Sequence, residues 1–290
     1  MRHSTIRFVA RIETSDGVHI AYHVWGRRDG PPVVMIQGLG MDSRGWALQR
    51  GSFGRRHRCV APDNRGTGFS DVPPGPYDLL RMADDTIEVL DVLGIERAHV
   101  VGASMGGVIA QIIGVLHPER TRSLTLACTS CRHHDWRREL FEEWAAAVDA
   151  RGMSALMEDG MRWLVGPRLQ RRFGVWINVL ARVLMQTRPE PFVAQVHAIL
   201  AASDELRNEL HRIRVPTLVI TGSQDTLTPV GDAEELAELI PTSRLYVVSG
   251  AAHGVMAEAP MAFNDAVVHF LDEVDAAEAS RAGASERESA

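Results

Sequence analysis

Gly102-Ala103-Ser104-Met105-Gly106 is flanked by an apolar β-type stretch, Ala98 to Val101, and by a helical one, Met105 to Leu116. A serine between small residues at a strand-to-helix junction is the G-x-S-x-G pattern of an exposed nucleophile. The turn is so tight that glycine is needed on both sides, and it pushes the hydroxyl outward. The N–H of Met105, next along the chain, then faces the carbonyl oxygen of any acyl group bound there. Ser104 is therefore read as a catalytic nucleophile rather than a turn residue.

The strand–helix alternation continues on both sides of this turn. Ile6 to Thr14 and Val18 to Trp25 read as strands joined at Asp16-Gly17, a hairpin signal. Pro32 to Ile36, His57 to Ala61, Ala98 to Val101 and Ser123 to Cys128 are short apolar runs, the pattern of strands buried on both faces. Helical stretches such as Met82 to Leu93 lie between them. The pattern is α/β: a mostly parallel sheet with helices on both faces. Strands resume at Thr217 to Thr221 and Arg244 to Val248. From Arg132 to His211 no strand is evident, and amphipathic segments broken at Gly152, Gly160, Gly166-Pro167 and Pro189 read as an all-helical cap. The expected organisation is a core of residues 1–131 and 212–274, a cap of 132–211, and a disordered tail of 275–290, which lacks large apolar residues.

Composition narrows the chemistry. The 290 residues are 45% hydrophobic and carry a net charge of −6 with no basic stripe, which argues against nucleic-acid binding. All 31 basic residues are arginine. Schiff-base chemistry, a Walker-A loop and a Ser-Lys dyad each need a lysine, so all three are excluded. Cys59, Cys128 and Cys131 have no metal-ligand spacing and suit a reducing compartment. The N-terminus has no signal-peptide core and no run is long enough to span a membrane, so the expectation is a cytoplasmic protein without membrane partners.

A serine hydroxyl needs a base, and the base an acid to orient it. Of the 12 histidines, His253 lies in Gly250-Ala251-Ala252-His253-Gly254, a small-residue loop directly after the last strand. His99 sits inside the strand entering the serine turn and reads as structural; His133-His134 reads as solvated. Asp225 follows the strand Thr217 to Thr221 and is the candidate acid, its alternative role being a turn or helix cap. Asp232 is the weaker choice because it starts a helix. The loop Gln37-Gly38-Leu39-Gly40 after the strand Val33 to Ile36 supplies a second oxyanion donor, assigned to the Leu39 N–H beside that of Met105. This chemistry calls for no cofactor and no metal.

The order Ser104, Asp225, His253, with a helical insertion after the sixth strand, resembles the α/β-hydrolase superfamily. Asp63-Asn64-Arg65-Gly66-Thr67-Gly68-Phe69-Ser70 matches its D-x-R-G-x-G-x-S segment, read as structural. The resemblance covers about Ile6 to Val274 and implies an eight-stranded sheet. Within it, Asp71 to Tyr77 and the cap look like 3-oxoadipate enol-lactonases and anthracycline methylesterases. Gln37 stands where many relatives have histidine. Ser104 argues against haloalkane dehalogenases and epoxide hydrolases, which use aspartate at this turn.

The implied activity is hydrolysis of a small carboxylic ester or lactone. A ligand-sensing receptor with little turnover, a cofactor-free haloperoxidase and a carbon–carbon bond hydrolase share the same residues. The cap aromatics and methionines (Trp136, Trp144, Trp163, Trp176, Met153, Met157, Met161, Phe173) read mostly as cap core, with some lining an apolar pocket. Among the cap arginines, one pointing inward would suit a carboxylate-bearing substrate.

Overall fold

A computed structural model describes residues 9–172, 187–202 and 204–288. Eight strands form one sheet in the order β1-β2-β4-β3-β5-β6-β7-β8. They are β1 (Ala10–Glu13), β2 (His19–Gly26), β3 (Pro32–Ile36), β4 (Arg58–Pro62), β5 (Ala98–Ala103), β6 (Thr121–Ala127), β7 (Thr217–Gly222) and β8 (Ser243–Val248). β1 and β2 pair antiparallel around the Asp16-Gly17 turn, where Gly17 adopts φ +80°, and β2 pairs antiparallel with β4. Every later pairing is parallel. β5 is central and wholly buried, as its run of small and β-branched residues requires. The part of the first expected strand before residue 9 lies outside the described residues.

Helices cover both faces, as right-handed crossovers between parallel strands demand. On one side lie α1 (Arg50–Gly54) and, later, the last helix; on the other lie α2 (Leu79–Val92) and α3 (Met105–Leu116). Asp78 caps α2 by accepting from the Leu80 N–H. Between β6 and β7 every described element is helical: α4 (Asp135–Arg151), α5 (Ser154–Asp159), α6 (Met161–Leu164), α7 (Pro189–Ala201) and α8 (Asp204–Glu209), with one 3₁₀ turn at Leu210–Arg212. Phe192 and Val196 of α7 and Trp144 and Val148 of α4 are buried in the same apolar cluster as the sheet's upper face. Then follow α9 (Val230–Leu239), α10 (Val255–Glu258) and α11 (Pro260–Glu288).

Residues 275–290, expected as a disordered tail, are helical as far as Glu288. The correction has an electrostatic cause. Asp275 and Glu278 of α11 both pair with Arg122 of β6, at 2.6 and 2.5 Å, which docks this stretch on the sheet without large apolar side chains. Ala, Glu and Arg are also good helix formers. No helix among the described residues is long and apolar enough to cross a membrane.

Candidate active site

The serine turn is built by close packing around β5. A Cβ on Gly102 would lie 2.1 Å from the Gly106 carbonyl oxygen, and one on Gly106 would lie 2.2 Å from that of Ile36 in β3. The two glycines thus let α3 start directly above the strand. Between them Ser104 is forced to φ 54°, ψ −119°, a conformation L residues avoid. Strain of this kind costs about 1–3 kcal/mol and persists only where its surroundings over-determine it. Here the Ser104 N–H donates to Ala127 at 2.9 Å and the Thr129 hydroxyl donates to the Ser104 carbonyl at 2.8 Å.

His253 reaches Ser104 from the loop between β8 and α10. Its Nε2 lies 3.0 Å from Ser104 Oγ, and its Nδ1 lies 2.9 Å from Asp225 Oδ2. The loop packs tightly on the end of β7: a Cβ on Gly222 would sit 2.3 Å from the Ala251 carbonyl oxygen. With Nδ1–H donating to the carboxylate, Nε2 is left as the acceptor for the serine proton.

Asp225 faces His253 and also holds its own turn. Its Oδ1 accepts from the Leu227 and Thr228 N–H groups, both at 2.9 Å, and its Oδ2 accepts from the Thr228 hydroxyl at 2.7 Å. Burial alone would raise its pKa. The His253 imidazole and the Thr228 donors outweigh that and hold the carboxyl below the usual carboxylate range.

The remaining histidines and acids are elsewhere. His99 bonds Ser123 and Asp275 at the opposite end of the sheet. His134 is exposed. Asp232 lies inside α9, buried against Arg137, away from His253. The Asp63 segment is a scaffold: Asp63 accepts from the Ser43 and Phe69 N–H groups, and Arg65 pairs twice with Asp85.

The loop 37–40 packs against the serine, a Cβ on Gly38 lying 3.0 Å from Ser104 Cβ. Neither the Leu39 nor the Met105 N–H has an acceptor among the described residues. The Gln37 side chain stays on its own loop, its Oε1 facing the Gly38 N–H at 3.3 Å. Sequence reasoning missed what holds this loop. Gln195 of α7, fully buried, accepts from the Gly40 N–H at 2.9 Å and donates to the Arg65 carbonyl at 3.0 Å. Thr187 donates to the Gly40 carbonyl at 2.7 Å, and Asn64 to that of Gln37 at 3.1 Å.

A second attachment joins the cap to the histidine loop. The Gly254 N–H donates to the Leu164 carbonyl at 2.8 Å. Glu258 accepts from Gly166 and Ala252 N–H groups at 3.1 and 3.3 Å. A lone glutamate in an apolar stretch carries no local signal for this.

A cavity of about 330 Å³ opens over Ser104 between cap and sheet, lined by Leu39, Phe141, Trp144, Phe192 and Met256 among others. Trp136, in contrast, is part-exposed and stacks on Trp163; Trp176 and Phe173 lie outside the described residues. Cys128, with φ 45°, lies within 4.8 Å of the Asp225 and His253 ligating atoms. Burial first, then the Asp225 charge, pushes its thiol well above the ordinary value. It is therefore neither a thiolate nucleophile nor a ready metal ligand.

The family model for the α/β-hydrolase fold matches residues 31–260. The chain belongs to the α/β-hydrolase family. Among curated α/β-hydrolases, 3-oxoadipate enol-lactonase 2 of Acinetobacter baylyi is 31% identical over 88% of this chain and 93% of its own. A protein of Azorhizobium caulinodans, provisionally named a carbamate hydrolase (RutD), is 31% identical over 85% of this chain and 93% of its own. A solved hydrolase of Pseudomonas aeruginosa PA01 superposes with a TM-score of 0.85 at 33% identity, covering 93% of this chain and 99% of its own.

Proposed function

We propose that this protein hydrolyses carboxylic esters or lactones through an acyl-enzyme on Ser104. The observation that carries this reading is the unbroken chain Ser104 Oγ, His253, Asp225, at 3.0 and 2.9 Å, on the floor of a cavity sized for a small molecule.

In the first half-reaction Ser104 Oγ attacks the carbonyl carbon as its proton passes to His253 Nε2. Negative charge gathers on the carbonyl oxygen, where the Leu39 and Met105 N–H groups receive it. Each such donor is worth ~10²–10³ in turnover, because the charge it meets exists only in the transition state. Collapse breaks the carbon–oxygen bond, and the departing alkoxide takes the proton from Nε2. Water then repeats the sequence on the acyl-enzyme, with His253 as base, and releases the acid. Asp225 stays ionised throughout and holds the imidazolium.

The relatives' names support a hydrolytic reading and divide on the bond cleaved, a lactone in one case and a carbamate in the other. A lactone and a carbamate each present an uncharged carbonyl that a serine can attack. The test is p-nitrophenyl ester hydrolysis by wild type and Ser104→Ala, with mass spectrometry of Ser104 after a fluorophosphonate probe. The reading requires turnover and labelling in wild type and neither in the variant. Equal turnover in the two would end it.

A further inference from the structure

We infer, resting on the hydrolase reading above, that the substrate is apolar and uncharged around its scissile carbonyl, and that Glu258 makes the site reject carboxylate-bearing compounds.

The cavity wall over Ser104 is aliphatic and aromatic on the cap side and on the core side, from Leu164 and Phe192 to Leu39 and Met256. Its polar side chains are few. Ser104 and His253 belong to the chemistry, Gln37 is turned onto its own loop, and Cys128 is held as a neutral thiol. Glu258 is the one further charged group lining the cavity among the described residues.

Two backbone N–H groups hold that carboxyl group, Gly166 on Oε2 and Ala252 on Oε1, while burial and then the Asp225 charge push its pKa above the usual range, so a further negative charge beside it is costly. Both partners are dipoles, and no arginine or histidine forms an ion pair with Glu258 among the described residues. A second carboxylate, Asp225, stands behind His253.

The inward arginine that an acid-bearing substrate would need is missing from the described lining. Arg132 pairs with Glu235, Arg137 is buried against Asp232, and Arg138 donates to the Leu200 carbonyl. Arg182 lies outside the described residues. A substrate carboxylate entering this cavity would lose its water, meet no cation among the described lining residues, and face the Glu258 carboxyl group. The 3-oxoadipate-derived lactone in the name of one relative is an acid of that kind, so its specificity does not carry over to this chain.

The experiment compares kcat/KM for p-nitrophenyl heptanoate and for mono-p-nitrophenyl adipate, near-matched in size and with the acid too far from the ester to close a five- or six-membered anhydride, using wild type and Glu258→Gln. Wild type should favour the heptanoate by about 100-fold or more, the penalty expected for an unpaired buried carboxylate. Glu258→Gln should shrink that ratio roughly tenfold, because a like charge has gone. The ratio is taken within each protein, so general damage to the site cancels. Labelling rates of Ser104 by a neutral alkyl fluorophosphonate and by a carboxylate-ended one read the same preference without turnover. Comparable handling of both compounds by wild type overturns the substrate class; an unchanged ratio in Glu258→Gln overturns the role of Glu258. No labelling and no turnover with either compound removes the hydrolase reading, and this inference falls with it.

Discussion

Three side chains contribute unequally to the proposed reaction, and the differences are measurable residue by residue. Ser104→Ala and His253→Ala should each lower kcat by about 10⁶-fold, since a triad acts as a unit. Asp225→Asn should cost about 10⁴-fold, because the imidazole loses the partner that selects its tautomer. Ser104→Ala should remain folded, as the elbow is dictated by Gly102 and Gly106 rather than by the hydroxyl. Gly106→Ala is the contrasting case. Its Cβ would lie 2.2 Å from the Ile36 carbonyl oxygen, closer than real contacts allow, so β3 and α3 must separate. That variant should lose activity and melt well below wild type, whereas Ser104→Ala should melt with it; circular dichroism melts distinguish the two.

At the scale of elements, two attachments deserve different readouts. Gln195 touches no reacting atom, but it ties α7 to the Gly40 N–H and so sets where the Leu39 amide points. Displacements of about 1 Å can cost 10²-fold in rate. Gln195→Ala should therefore lower kcat 10- to 100-fold with KM nearly unchanged, and weaken a boronic-acid transition-state mimic in proportion; a KM effect alone would assign Gln195 to ground-state binding. The second attachment is Asp275, through which α11 meets Arg122 at 2.6 Å, His99 at 3.0 Å and His57 at 3.6 Å. Burial alone would raise its pKa, but the nearby His57 imidazole, the His99 hydrogen bond and the Arg122 charge hold it well below the usual range. A depressed folded-state pKa contributes stability above the unfolded value, near 4, that is lost as pH falls toward the folded value. Asp275→Asn should cost about 2 kcal/mol, roughly 3 °C in Tm, at pH 7, and the gap to wild type should close as pH falls below about 4. The ion pairs of this helix explain why its last part looked like a tail. In sequence it shows only small and polar residues, and the partner that docks it, Arg122, lies 156 residues before Glu278.

For the whole molecule, legibility followed the range of the interactions. Strands such as Pro32–Ile36 announced themselves because burial on both faces demands unbroken apolar runs. That Ser104, Asp225 and His253 meet was legible because each sits in a turn that directly follows a strand of the sheet. Gln195 and Glu258 were not, since their meaning lies in contacts across 155 and 92 residues between cap and core. The cavity is likewise a property of the assembled molecule, and it yields the last prediction. At about 330 Å³ it has room for roughly eleven water-sized groups, and its wall around Ser104 is apolar. Burying each added methylene is worth about 0.8 kcal/mol, or about fourfold in kcat/KM when the gain is fully expressed in the transition state. Across p-nitrophenyl esters from acetate to decanoate, kcat/KM should climb by up to that factor per carbon and then fall once the cavity is full. Trp144, nearly fully buried, forms part of the cap wall of this cavity. Trp144→Leu should move the optimum to longer chains while weakening the shortest, which lose a packing surface. An optimum that stays in place would show that the acyl chain does not occupy this cavity, and would locate the alcohol portion of the substrate there instead.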